Sequence, residues 1–123
     1  MARILIADDS IVMRRNLKSI LSNTEHQVVA EASNGIKAFS EYERTLPDLV
    51  TMDITMPEMD GIQAVKKIIS SYPKALIIMI SALDQKRMVF QALENGARYY
   101  IIKPITPQKV IDTINQVLEN CIE

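Results

Sequence analysis

Apolar residues gather in five short blocks along the chain, at 4–7, 28–32, 49–53, 75–80 and 98–102. Near-continuous apolar runs of this length, rich in Ile and Val, predict strands buried on both faces. Between the blocks the rhythm changes. Met13, Leu17, Ile20 and Leu21 recur at helical spacing, as do Ala38, Phe39 and Tyr42, then Ile62, Val65, Ile68 and Ile69, then Met88, Val89, Ala92 and Leu93, and finally Val110, Ile111, Ile114, Val117 and Leu118. Each set predicts a helix with one apolar face. Punctuation agrees with the spacing: Ser10, Asp60 and Thr106-Pro107 suit helix starts, Pro47 and Tyr72-Pro73 suit stops, and Gly96 suits a C-terminal cap. Strand and helix alternate five times with short connections, which predicts one α/β domain with a parallel sheet covered on both faces.

The 123 residues are enough for one domain, and 48% hydrophobic with 24% charged residues is ordinary for a globular protein. A net charge of -1 favours neither nucleic acid nor an anionic membrane as partner. No apolar run approaches the roughly 20 residues of a membrane span, and the first apolar run meets Asp8-Asp9 too soon for a signal peptide. A single cysteine, Cys121, expected in the last helical turn or tail, excludes an internal disulfide. A cytoplasmic monomer is expected.

In a parallel sheet every strand ends on the same edge, where ligands bind. That edge collects Asp8 and Asp9 after the first strand, Asp53 at the end of the third, Ser81 after the fourth and Lys103 after the fifth. The second strand brings only Ser33-Asn34-Gly35, to which no chemistry is given. Three carboxylates in one place repel one another and need a counter-charge. Hard oxygen ligands suit Mg²⁺, which takes one or two carboxylates and leaves room for a phosphoryl oxygen. Lys103 and Ser81 can hold phosphoryl oxygens, and an aspartate can be the nucleophile that accepts the group. Each feature alone is usually turn or loop chemistry; the specificity lies in all of them falling at strand ends. Neither a phosphate-binding P-loop nor a dinucleotide loop is present. His26, the only histidine, lies in a polar connection and is read as non-catalytic. Met52, Met56, Met59 and Met79 are read as packing.

Asp8-Asp9-Ser10, Met13-Arg14-Arg15, Thr51 through Gly61, Ser81-Ala82 and Lys103-Pro104 together resemble the receiver domain of bacterial two-component response regulators, most of all the single-domain chemotaxis regulators. The resemblance covers essentially the whole chain and implies a (βα)5 flavodoxin-like fold with strand order 2-1-3-4-5, one receiver domain over 1–123 and no output domain. It implies that Asp53 accepts a phosphoryl group from a histidine kinase and that Asp9, Asp53 and the backbone carbonyl of Thr55 bind Mg²⁺, with Asp8 acting through water. Ser81 and Lys103 would contact the phosphoryl oxygens, Lys103-Pro104 would be cis, and Tyr100 would be the aromatic switch following Ser81. The implied partners are a sensor kinase, a downstream target such as the flagellar motor switch, and a phosphatase. The protein would be a phosphoacceptor that promotes its own phosphorylation and dephosphorylation and not an enzyme acting on a separate substrate.

Thr55 and Leu83 occupy the positions that tune acyl-phosphate lifetime in this family; neither is an acid, base or amide, and the lifetime stays open. A haloacid-dehalogenase-type phosphatase also uses an Asp nucleophile and Mg²⁺, but it carries a second Asp where this chain has Thr55. A receiver belonging to a transcriptional regulator is the other alternative.

Overall fold

The computed structural model describes residues 1–120; Cys121 lies outside the described residues. Strand and helix alternate as β1 (Arg3–Ala7), α1 (Ile11–Ser22), β2 (Gln27–Ala32), α2 (Gly35–Thr45), β3 (Leu49–Asp53), α3 (Gly61–Ser71), β4 (Ile77–Ser81), α4 (Lys86–Glu94), β5 (Tyr99–Ile102) and α5 (Pro107–Asn120). All four strand pairings are parallel, in the order β2-β1-β3-β4-β5.

The period of two along each strand divides the core into two layers. Leu5, Val50, Met52, Ile77 and Met79 face one way, into a cluster with Val65 and Ile68 of α3 and Val89 and Ala92 of α4. Ile4, Ile6, Leu49, Ile78, Ile80 and Ile101 face the other, with Leu17 and Leu21 of α1 and Val110 and Ile114 of α5. Met52 and Met79 are fully buried and Met56 nearly so, within the first cluster, so these methionines pack as the sequence suggests.

β4 differs slightly from its predicted span. Ala75 and Leu76 precede the strand, and Ser81 is its last residue. Ser81 belongs to the ladder because its carbonyl accepts from Lys103 N at 2.7 Å.

Four helices start on a side-chain cap. Ser10 accepts from Met13 N, Asn34 from Lys37 N and Thr106 from Lys109 N, and Asp60 forms a reciprocal capping box with Gln63. α4 starts at Gln85 without one. Gly96 closes α4 at φ 115°, a conformation open to glycine at little cost. His26 is structural: its Nδ1 accepts from Ala2 N at 3.1 Å, so its Nε2 donates to Asn115 Oδ1 at 2.8 Å and ties the start of β1 to α5.

Candidate functional site

Asp8 and Asp9 follow β1, Asp53 ends β3, Ser81 ends β4 and Lys103 follows β5, all on the C-terminal edge of the sheet. In the register, Asp53 lies beside Ile80 and Ser81 beside Ile102, so Asp53 and Ser81 are staggered by one residue on adjacent strands.

The loop after β3 is held by backbone geometry. Gly61 N donates to the Ile54 carbonyl at 2.7 Å, and a Cβ on Gly61 would lie 2.1 Å from the Asp53 carbonyl oxygen. Glycine is required there by close approach. Glu58 takes a left-handed conformation at φ 67°, and its carboxylate accepts from Asn34 Nδ2 at 2.9 Å. Asn34, given no chemistry from the sequence, thus has a structural role. It caps α2 and ties that helix to the turn beside the site.

One carboxylate oxygen from each of Asp8, Asp9 and Asp53 lies within 4.8 Å of the others. Asp8 and Asp53 are buried and Asp9 is exposed, so the cluster opens to solvent on one side. Asp8 Oδ1 accepts from Ser10 N at 2.9 Å, while its Oδ2 is buried without a hydrogen-bond partner. Asp53 Oδ1 accepts from Ile54 N at 2.9 Å and lies 3.5 Å from Lys103 Nζ. Burial and then the Asp8 charge push the Asp53 carboxyl up to about 6, against the opposing pull of Lys103 and the Ile54 N–H. Burial likewise raises Asp8. The cluster is short of positive charge, its donors are hard oxygens, and one buried oxygen is unsatisfied. These features fit a divalent cation.

Ser81 Oγ is completely buried and also lacks a partner. Beyond it, a cavity of about 280 Å³ opens between Ser81, Ala82, α4 and Tyr100. Tyr100 is half-exposed and packs against Tyr99 with ring centroids 5.5 Å apart. The Lys103-Pro104 bond is cis, as the resemblance implied. Two residues have links to the site that the sequence did not reveal. Arg14 donates to the Asp8 carbonyl at 2.7 Å and to Glu31 at 3.1 Å, bracing the acidic loop from α1. Gln85 links Ala82 N to Thr55 Oγ1. Neither link could be found from periodicity, because an Arg at a polar helical position or a Gln at a helix start reads as surface.

Residues 4–115 match the family described as the response regulator receiver domain. The chain belongs to that family. It is 50% identical to the chemotaxis protein CheY of Bacillus subtilis over 94% of its own length and 97% of that protein. It is 46% identical to CheY of Thermotoga maritima, covering 94% and 96%. CheY in the CheX-CheY-BeF3-Mg complex from Borrelia burgdorferi superposes with a TM-score of 0.89 at 35% identity, covering 94% of this chain and 87% of that one. The receiver is therefore a phosphoacceptor signalling module of two-component regulation, and its relatives favour the chemotaxis reading over a transcriptional one. No helix among the described residues is long and apolar enough to cross a membrane.

Proposed function

We propose that this receiver takes its phosphoryl group on Asp53 from the phosphohistidine of a sensor histidine kinase, with Mg²⁺ held by Asp9, Asp53 and the backbone carbonyl of Thr55, and by Asp8 through water. The observation that carries the reading is the imbalance at Asp53: a buried carboxylate crowded by Asp8 and Asp9, contacted by one ammonium at 3.5 Å. A carboxylate oxygen of Asp53 attacks phosphorus, the P–N bond to the kinase histidine breaks, and the electron pair returns to the imidazole. Bound Mg²⁺ supplies charge neutralisation for the phosphoryl oxygens. Lys103 offers its ammonium to one of those oxygens, and Ser81 offers a hydroxyl that is otherwise unpartnered. In the same charge environment water attacks phosphorus, the P–O bond to Asp53 breaks, and inorganic phosphate leaves with the carboxylate restored.

The signal leaves through β4, α4 and β5. Drawing Ser81 toward the phosphoryl group opens room beside it, and the Tyr100 ring moves inward toward the cavity it already borders. The exposed face of α4, β5 and α5 then binds its target better, as a shift between two packings. The target in this reading is a component of the flagellar motor switch, and a separate phosphatase resets the signal.

The test uses acetyl phosphate and Mg²⁺. One base-labile phosphoryl adduct is expected by mass, absent in Asp53→Asn and absent with chelator. A full-strength adduct in Asp53→Asn overturns the assignment. Pull-down with and without beryllofluoride against motor and kinase proteins tests the partners.

A further inference from the structure

Gln85 occupies the N-cap position of α4, yet its side chain does not cap the helix. The amide turns back instead. Its Oε1 accepts from Ala82 N at 2.7 Å, which points its Nε2 at Thr55 Oγ1, 2.8 Å away. One side chain thus joins the loop after β3 to the loop after β4 and occupies the backbone N–H next to Ser81. The cap position would favour Ser, Thr, Asp or Asn, and glutamine is too long for that job. Its reach matches the gap between the two loops.

The segment it holds has little else to fix it. Of the residues from Ala82 to Phe90, only Val89 is buried, and Leu83 and Phe90 are 70% and 68% exposed. The Ala82 N–H lies at the C-terminal edge of β4, beside the buried and unpartnered Ser81 hydroxyl. A backbone N–H at that edge is a natural donor to an anion. Here it is already occupied.

We propose that Gln85 is a positioning residue: it latches the β4–α4 loop to Thr55 in the unphosphorylated protein and releases the Ala82 N–H when a phosphoryl group forms on Asp53. The inference rests on Asp53 being the phosphorylation site. The latch stabilises only the unphosphorylated arrangement, so it weakens the binding of anything that mimics the phosphoryl group. Losing a net hydrogen bond's worth of that preference changes the affinity about fivefold.

The experiment measures beryllofluoride affinity by calorimetry in saturating Mg²⁺, and Mg²⁺ affinity separately, for the wild type, Gln85→Leu and Gln85→Ser. Leucine removes both bonds at similar volume. Serine removes the reach to Thr55 while giving α4 a better cap, so it keeps the test valid if the leucine variant folds poorly. Both variants are expected to bind beryllofluoride about fivefold tighter, with Mg²⁺ affinity changed less than twofold. A residue that merely starts α4 would give opposite effects in the two variants, or none. Thr55→Val alone is expected to give part of the gain and to add little in combination with Gln85→Leu, because both remove the same link. Unchanged or weaker beryllofluoride binding in both Gln85 variants, with the wild type binding normally, overturns the latch alone. A wild type that neither binds beryllofluoride nor forms the acetyl-phosphate adduct overturns the Asp53 reading instead.

Discussion

The crossovers through α3 and α4 both pack on the same face of the sheet, and they are built to opposite standards. α3 begins on a capping box, opens with a glycine pressed against the Asp53 backbone, and buries Gly61, Ile62, Ala64, Val65 and Ile68. α4 begins without a side-chain cap and buries Val89 and Ala92. Met88 and Phe90 are exposed, and Phe90 borders a cavity. In the proposed function, the first crossover fixes the carboxylate that reacts, and the second lies over the space into which the response moves. A switch needs this inequality: the chemistry demands groups held to a fraction of an ångström, and the output demands an element whose repacking costs little.

The largest effect is expected on the rigid side. Gly61→Ala places a Cβ 2.1 Å from the Asp53 carbonyl oxygen, where backbone and not a pliable side chain must yield. A loss of about 3–5 kcal/mol is expected by urea unfolding, together with weaker Mg²⁺ binding because Asp53 shifts. Gly96→Ala, at the end of α4, meets only Ile69 side-chain atoms at 2.9 Å and is destabilised mainly by its positive φ, so about 1–2 kcal/mol is expected. Equal losses at the two glycines would erase the contrast.

Next comes the cost of the crowded carboxylates. The Asp53 carboxyl is raised to about 6 in the folded protein from an ordinary value of 3.8. The folded state therefore holds a proton more tightly than the unfolded chain, and stability falls as pH rises from about 4 to about 6. Without metal, Asp53→Asn is expected to be more stable than the wild type at pH 7.5 by about 2 kcal/mol. Most of the gap should close by pH 4, where the aspartate is neutral in the folded state and only partly ionised in the unfolded chain. Thermal melts at the two pH values in chelator read this directly, and saturating Mg²⁺ at pH 7.5 should narrow the gap from the other direction by stabilising the wild type. A wild type more stable than Asp53→Asn in chelator at pH 7.5 would mean that Lys103 outweighs burial and Asp8.

The helix starts give a smaller contrast. Asp60→Ala removes the side-chain half of the α3 capping box and is expected to cost about 1 kcal/mol. Gln85→Ser supplies a cap that α4 lacks and is expected to leave stability unchanged or raise it by a few tenths of a kcal/mol. Denaturant midpoints separate the two, and a large loss at Gln85 would place it among the structural caps.

The rigid crossover is also the one that was legible in the sequence. Asp53, Asp60 and Gly61 announce a strand end and a capped helix by residue type alone, and the apolar runs of β1, β3 and β4 assign themselves because both faces are buried. The acids, Ser81 and Lys103 could be gathered at one edge because parallel strands share an end. The strand order came only with the family resemblance, since short βα connections are compatible with several windings. What stayed hidden joins elements distant in sequence through ordinary polar side chains. Arg14 reaches Glu31, Asn34 reaches Glu58, and Gln85 reaches Thr55 across thirty positions. None of these residues departs from what a solvated helix surface or a turn would contain, so spacing carries no trace of them.

The smallest expected change in stability tests the lightly packed side most sharply. Phe90 is 68% exposed on α4 and borders the cavity beside Tyr100. An aromatic ring so exposed loses little on truncation, and Phe90→Ala should leave the unfolding midpoint within about 0.5 kcal/mol of the wild type. The same ring offers a large apolar surface on the face proposed to bind the target, where a buried aromatic anchor commonly dominates affinity. Capture of the target by the beryllofluoride form should therefore fall at least tenfold, the affinity equivalent of about 1.4 kcal/mol, while formation of the Asp53 adduct from acetyl phosphate stays at the wild-type rate. A loss of stability above about 1 kcal/mol would show that Phe90 belongs to the core of the unphosphorylated protein, and the two crossovers would then differ in their caps but not in their packing.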